Sequence, residues 1–411
     1  MTATGPGGRL LAGLREARWL NRTRVRAYAA ILLVMSTFAA MLWVALADGL
    51  IDRRGKPIGT DFAAYYAAGR LALAGRPEAA FSPAAHYAEQ QATFAPVQVP
   101  AYGWLYPPTF LLVATAIAAL PYGAALASWM AASLALYLRA LAPVIAGHGA
   151  TGWLLVLAYP GVFVNLGHGQ NGFLVAALLG GGLLALPARP IAAGVLFGLL
   201  SFKPQFGLLL PLVLLATGNW RALAAAALSA LALAALSYAA FGAECWRLFM
   251  TDAAPLNVVA LETGMAGWHK LQSLFAALRQ WGAPIWLAYG GQAVLGVAVA
   301  VLVVRLWLTG AAHDLKAAAL AAGAVLASPH VFDYDLMLLA LPIAALARAG
   351  LASGFRAWEK SILVAAFVLP MLSRTVAQTT TIPLGVIVPA LLLWAIARRA
   401  RPGYGQGAER L

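Results

Sequence analysis

Apolar segments follow one another almost without interruption from Ala27 to Ala397, separated by short polar breaks. That pattern leaves few possible folds. Only 10% of the 411 residues are charged and 62% are hydrophobic, whereas soluble domains carry about 25% charged residues. So few charges cannot cover a water-facing surface, so most of the surface must face lipid. A bilayer core is ~30 Å thick, and a helix crosses it in ~20 apolar residues. No stretch alternates apolar and polar residues with period two over a strand's length, which argues against a barrel. The expected fold is an all-α integral membrane protein, a polytopic helical bundle of about 11–13 spans.

The net charge is +14. On a soluble chain this would suggest nucleic acid. Here the cations gather at the two ends. Arg9, Arg15, Arg18, Arg22, Arg24 and Arg26 stand against Glu16 alone, and Arg398, Arg399, Arg401 and Arg410 lie near the other terminus. By the positive-inside rule both ends are expected in the cytoplasm, with no nucleic-acid partner needed. Residues 1–26 then form a basic N-terminus, 27–397 the membrane domain and 398–411 a basic tail. Ala45-Leu46-Ala47 resembles a signal-peptide cleavage site, but the apolar run from Ala27 to Ala47 exceeds the ~7–15 residues of a signal peptide. It is expected to be an uncleaved first span. The single cysteine, Cys245, excludes an intrachain disulfide and any cysteine-cluster metal site.

An outer loop is expected over about 48–107, carrying Asp48, Asp52, Asp61, Glu78 and Glu89. Short helices from Phe62 to Ala74 and from Pro83 to Phe94 should be amphipathic and lie along the membrane surface. Thirteen apolar candidates follow from 27 onward, 108–120, 190–202 and 204–217 among them, with a second outer loop at about 243–283. Thirteen full spans cannot leave both ends on one side. Several candidates are also shorter than ~17 residues, which points to half-helices or re-entrant pairs among them.

All fourteen acids fall in loops or at span ends. A proton-coupled pump usually needs an ionisable group within the membrane. Five segments could carry chemistry, the last two taken as a pair. In Gly59-Thr60-Asp61-Phe62-Ala63-Ala64-Tyr65-Tyr66, Asp61 is either a helix cap or a general base. Tyr106-Pro107-Pro108 suits the opening of a helix. Gly167-His168-Gly169-Gln170-Asn171-Gly172 is a tight turn or the lining of a site. Lys203-Pro204 interrupts an apolar run. Its lysine either snorkels to the interface or holds a phosphate. Ser328-Pro329-His330-Val331-Phe332-Asp333-Tyr334-Asp335 offers a histidine and two acids, a weak metal signal at that spacing. No metal or other cofactor is expected.

Taken in order, these segments resemble glycosyltransferase family 87, bacterial polytopic enzymes of the GT-C type that include polyprenol-phosphate-mannose-dependent mannosyltransferases. The resemblance runs over roughly residues 55–345. It implies a polyprenyl-phosphate sugar donor, with mannose as the hexose, and a glycolipid or cell-envelope glycan as acceptor. It implies an inverting transfer at the outer face of the inner membrane, with Asp61 as the base. His330 would contact the donor phosphate or orient the acceptor, and Lys203 would be a further phosphate partner. Tyr65, Gln170, Asn171 and Asp335 complete the expected substrate-binding set. A transporter or lipid flippase is the main rival, and a non-catalytic scaffold the third. A transporter would be expected to show inverted repeats, and the sequence has no internal repeat.

Overall fold

The computed structural model describes residues 6–400, so residues 1–5 and the tail with Arg401 and Arg410 lie outside the described residues. The described chain is 78% helix without strands. Among the described residues six helices are long and apolar enough to cross a membrane, and shorter apolar helices lie between them.

The path is legible from contacts that tie helix ends together. α1 (Pro6–Glu16) and the residues after it rest against the start of α18 (Glu359–Thr380). The Leu14 carbonyl accepts from Ser361 Oγ, and the Arg15 carbonyl accepts from the Trp358 N–H. α2 (Arg22–Ala45) is capped by Asn21, whose side chain accepts from the Arg24 N–H at 2.9 Å. Only Ala29 of α2 is buried, so nearly all of this helix faces lipid. The last helix, α19 (Leu384–Ala400), returns to the same place. Arg399 donates two hydrogen bonds to the buried Glu359 carboxylate. Both ends of the described chain therefore share one face, called here the basic face. The opposite face is the site face.

α3 (Phe62–Leu73) and α4 (Pro83–Phe94) start close to their expected positions. α4 keeps one buried stripe, His86, Gln90 and Phe94, as an amphipathic helix should. The surface placement expected of α3 is corrected by its burial. Phe62, Tyr65, Tyr66, Ala67 and Leu71 are all buried, on every side of the helix. The reason is close packing. A Cβ on Gly69 would strike the Ala114 carbonyl of α5 (Pro108–Ile117), so only glycine admits this approach. The Tyr65 ring also packs edge-on against Trp104, Tyr106, Phe110 and Trp129.

α6 (Tyr122–Ile145) runs from the site face to the basic face. Its first residue, Tyr122, donates to the Ile58 carbonyl in the outer loop at 2.8 Å. The chain returns through α7 (Gly149–Ala158) and α8 (Pro160–His168), interrupted at Tyr159-Pro160, and descends again in α9 (Gly172–Ala185). α10 (Pro190–Leu199) climbs beside the start of α12 (Trp220–Leu248). A Cβ on Gly194 would meet the Ala222 carbonyl, and one on Gly198 would meet Ser229 Oγ. α12 thus begins level with the beginning of α10. The intervening α11 (Leu209–Ala216) must bring the chain back down. The candidates 190–202 and 204–217 are consequently the two arms of a re-entrant hairpin, with Lys203 at its elbow. The hairpin enters and leaves at the basic face, which removes two crossings and leaves their number odd; the parity conflict is resolved by α5, which lies between the outer loop and the site-face start of α6 and so does not cross.

α12 bends at Gly242 (φ 79°) and continues to the site face, where α13 (Ala254–Thr263) and α14 (Leu274–Gln280) follow. α15 (Ile285–Trp307), α16 (His313–Ala327), α17 (Ala340–Ser353), α18 and α19 then alternate in direction. A 3-10 turn over Asp333–Leu339 leads into α17.

Candidate active site

Asp61 stands at the N-terminal end of α3 yet caps nothing with its side chain. Its carboxylate is instead held from across the fold. Gln170 Nε2 donates to Asp61 Oδ2 at 3.0 Å, and His168 Nδ1 lies 3.8 Å from the same oxygen. The backbone aligns the two segments, since the Asp61 N–H donates to the His168 carbonyl at 3.0 Å. The turn that presents Gln170 needs glycine at position 169, which is left-handed (φ 63°) and closes α8. A Cβ there would also strike Phe62.

Behind the carboxylate lies a buried polar network. The Tyr65 hydroxyl donates to Gln170 Oε1. Asn171 Nδ2 donates to the Tyr65 hydroxyl at 3.1 Å and to the Tyr106 hydroxyl at 3.0 Å. With the Gln170 amide oxygen engaged by tyrosine, its NH₂ is aimed at Asp61. The order is set by chemistry, because an ionised carboxylate can only accept. Gln170 and Asn171 are buried, so their rotamers are fixed by their partners rather than by solvent.

Asp61, Tyr65, Tyr106, His168 and Gln170 line one side of a cavity of about 650 Å³. Its floor is the elbow of the re-entrant hairpin. Lys203 Nζ donates to Asp335 Oδ1 at 2.7 Å, with both side chains buried. Asp335 Oδ2 accepts from the Phe332 N–H at 3.0 Å. The Lys203 ammonium also lies 5.0 Å from the centre of the Tyr334 ring. The interfacial snorkelling considered for Lys203 is thereby corrected: the side chain turns inward, to a buried carboxylate.

The remaining wall holds His330, Asp333, Tyr334, Lys270 and Arg374. Arg374 approaches Asp333 Oδ2 at 3.8 Å. Burial pushes the His330 imidazole down to about 4, with Lys203 lowering it further and Asp335 opposing. The ring is therefore neutral at pH 7. Burial, then the nearby Arg374, also holds the Lys270 ammonium below its ordinary value. With Lys203 neutralised by Asp335 behind it, the lining carries Lys56, Lys270 and Arg374 against Asp61 and Asp333. A surplus of cations in a partly enclosed space favours an anionic guest. On the side toward lipid the cavity is bounded by Ala230 and Ala234 of α12, a helix whose Leu228 and Leu231 are exposed.

The structure thus gathers Asp61, Tyr65, Gln170 and Asn171 into one hydrogen-bonded unit, and Lys203 with Asp335 into another. His330 lies in the wall between them. Asn171 and Asp335 do not line the cavity; they stand behind the residues that do. Sequence reasoning misses Arg374, which is far along the chain from Asp61. Its signal is present, as a lone arginine at the end of an apolar run. His168 stands within a segment singled out for its composition, but its approach to Asp61 has no signature in the sequence.

A polytopic helical membrane protein with a polar, cation-rich cavity beside its site face is the class that this architecture defines. The chain belongs to glycosyltransferase family 87, whose family model matches residues 104–329, and it is a membrane glycosyltransferase. The matched segment includes Tyr106, Gln170, Asn171 and Lys203, while Asp61 and His330 reach the cavity from outside it. A search of curated proteins and of solved structures gives no match.

Proposed function

We propose that this protein transfers a hexose, mannose by the family resemblance, from a polyprenyl-phosphate donor to a glycolipid or cell-envelope glycan, with inversion and with Asp61 as general base. The observation that carries the reading is the Gln170–Asp61 hydrogen bond. It aims an otherwise uncapped carboxylate into a cavity whose opposite wall is cationic.

The chemistry follows from that layout. The leaving group of such a donor is already a phosphate, so its departure needs no general acid. Asp61 takes the proton of the acceptor hydroxyl as the oxygen attacks the anomeric carbon. The carbon–oxygen bond to the phosphate breaks on the opposite side, and polyprenyl phosphate leaves. Charge that builds on the departing phosphate is stabilised by Arg374 and Lys270, with neutral His330 as a hydrogen-bond donor. Lys203 contributes less than its position suggests, since Asp335 already neutralises it. The polyprenyl tail leaves past Ala230 and Ala234 toward lipid.

The arginine-rich basic face lies in the cytoplasm in this reading, and the site face lies outside a bacterial inner membrane. Lipid-linked sugars are available there, whereas nucleotide sugars are not. Asp61→Asn tests the assignment. Transfer of labelled sugar from a polyprenyl-phosphate donor should vanish while the protein still inserts and purifies as a folded species. Turnover at the wild-type rate would remove Asp61 from the role of base.

A further inference from the structure

A second cavity, of about 890 Å³, lies at the basic face, remote from Asp61. Lys360 on its rim and Arg374 in the site cavity are fourteen residues apart on α18, or ~21 Å at the helical rise. Trp19, Arg22, Arg26 and Lys360 line its rim, and Leu32 and Phe367 are among its deeper residues. No carboxylate lines it among the described residues.

We infer that this cavity is a seat for one phospholipid with an anionic headgroup, its phosphate at Arg22, Arg26 and Lys360 and an acyl chain between α2 and α18. Three observations carry this. The first is depth. The lining runs along α2 from Arg22 to Leu32 and along α18 from Lys360 to Val368. Those lengths are ~15 Å and ~12 Å, which is one leaflet of a ~30 Å core. The second is polarity. The lower walls are aliphatic and aromatic, so water would gain no partners there, and a gap between helices in hydrocarbon is filled by hydrocarbon.

The third is charge at the right level. Arg22 and Arg26 are one turn apart and share a face of α2. Arg26 Nε donates to Thr151 Oγ1 at 2.7 Å, which holds the guanidinium at the rim and leaves its other N–H groups for an anion. Lys360 stands opposite, its ammonium 5.5 Å from the centre of the Phe355 ring. His148 lines the same cavity, and its Nε2 is buried without a partner among the described residues. A phosphate oxygen would answer these donors. Basic pockets between membrane helices recognise anionic headgroups in this way.

Native mass spectrometry of the full chain in detergent, titrated with equal dioleoylphosphatidylglycerol and dioleoylphosphatidylcholine, tests the inference. The wild type should retain one phosphatidylglycerol with a preference of at least about tenfold over phosphatidylcholine. In Arg22→Gln/Arg26→Gln/Lys360→Gln the preference should fall to about twofold or less. Ala347→Trp, which fills the groove, should lose the retained lipid of either kind. Arg139→Gln, which removes an exposed cation away from the groove, should keep the preference. Equal retention of the two lipids by the wild type would overturn the proposal, and so would undiminished preference in the triple variant. Loss of preference in Arg139→Gln would overturn it too, by reducing the effect to overall charge. The wild-type competition decides the matter even where a variant fails to fold.

Discussion

Lys203 Nζ and Asp335 Oδ1 are 2.7 Å apart and buried, across 132 residues of sequence. The pair fastens the elbow of the α10–α11 hairpin to the turn that opens α17, and so fixes the floor of the site cavity.

Breaking that pair from one side should be costly. Removing one partner of a buried ion pair leaves the other charge unpaired, at about 3–5 kcal/mol. Asp335→Asn also weakens the acceptor of the Phe332 N–H. Lys203→Met and Asp335→Asn should each lower thermal stability in detergent sharply. Lys203→Met/Asp335→Asn should recover much of the loss, because it leaves no unpaired charge and keeps an amide oxygen for the Phe332 N–H. A double variant less stable than both single ones would contradict this.

Gln170 holds the carboxylate of Asp61 without touching the reacting centre in the proposed mechanism. Gln170→Leu should reduce kcat for sugar transfer by on the order of 100-fold, the scale of a misplaced catalytic group, with a much smaller change in KM. Gln170→Glu removes the NH₂ donor and sets a second carboxylate beside Asp61, so it should lower kcat at least as far as Gln170→Leu. Wild-type kcat in Gln170→Glu would mean that this hydrogen bond does not position Asp61.

His330 gives a pH dependence of stability with a definite sign. The folded ring has a pKa of about 4, against 6.5 for an ordinary histidine. Below pH 6.5 the unfolded chain therefore takes up a proton that the folded chain refuses. The stabilisation is complete above 6.5 and drains away as the pH falls toward 4. Melting temperatures measured from pH 7.5 down to 4.5 should decline, and His330→Gln should flatten the decline. Parallel curves for the two proteins would rule out His330 as its source.

Gly198 lets α10 and α12 touch backbone to backbone. An added methyl would strike Ser229 Oγ and the Ala226 carbonyl. Gly198→Ala should cost about 1–3 kcal/mol or more, as overpacking does. Gly207→Ala is the control, because its added methyl would come no closer than 3.4 Å to the Pro204 carbonyl. Its effect should stay within about 0.5 kcal/mol. Melting both variants in the same detergent separates steric crowding from the intrinsic cost of replacing glycine.

Much of the helical framework is legible in the sequence. Hydropathy alone places α2, α15 and α18, because a span in lipid must satisfy its backbone internally and present apolar side chains outward. The start of α4 is legible for local reasons: Ser82 caps it, and Pro83 occupies its first turn. The fate of 190–217 is not. Two short apolar runs read alike whether they cross in series or fold back as a hairpin, and only the packing of Gly194 and Gly198 on α12 distinguishes them.

The sequence by itself determined that this chain lives in a bilayer, where its longest spans fall and which segments are too polar to be mere spans. Those properties are local, written in side-chain transfer energies and turn chemistry. Tertiary structure alone decided that Gln170 aims at Asp61, that Lys203 is consumed by Asp335 and that Arg374 faces the same cavity. The physical reason is that a hydrogen bond or ion pair depends on position in space to within a few tenths of an ångström, and residues over a hundred positions apart carry no local trace of it.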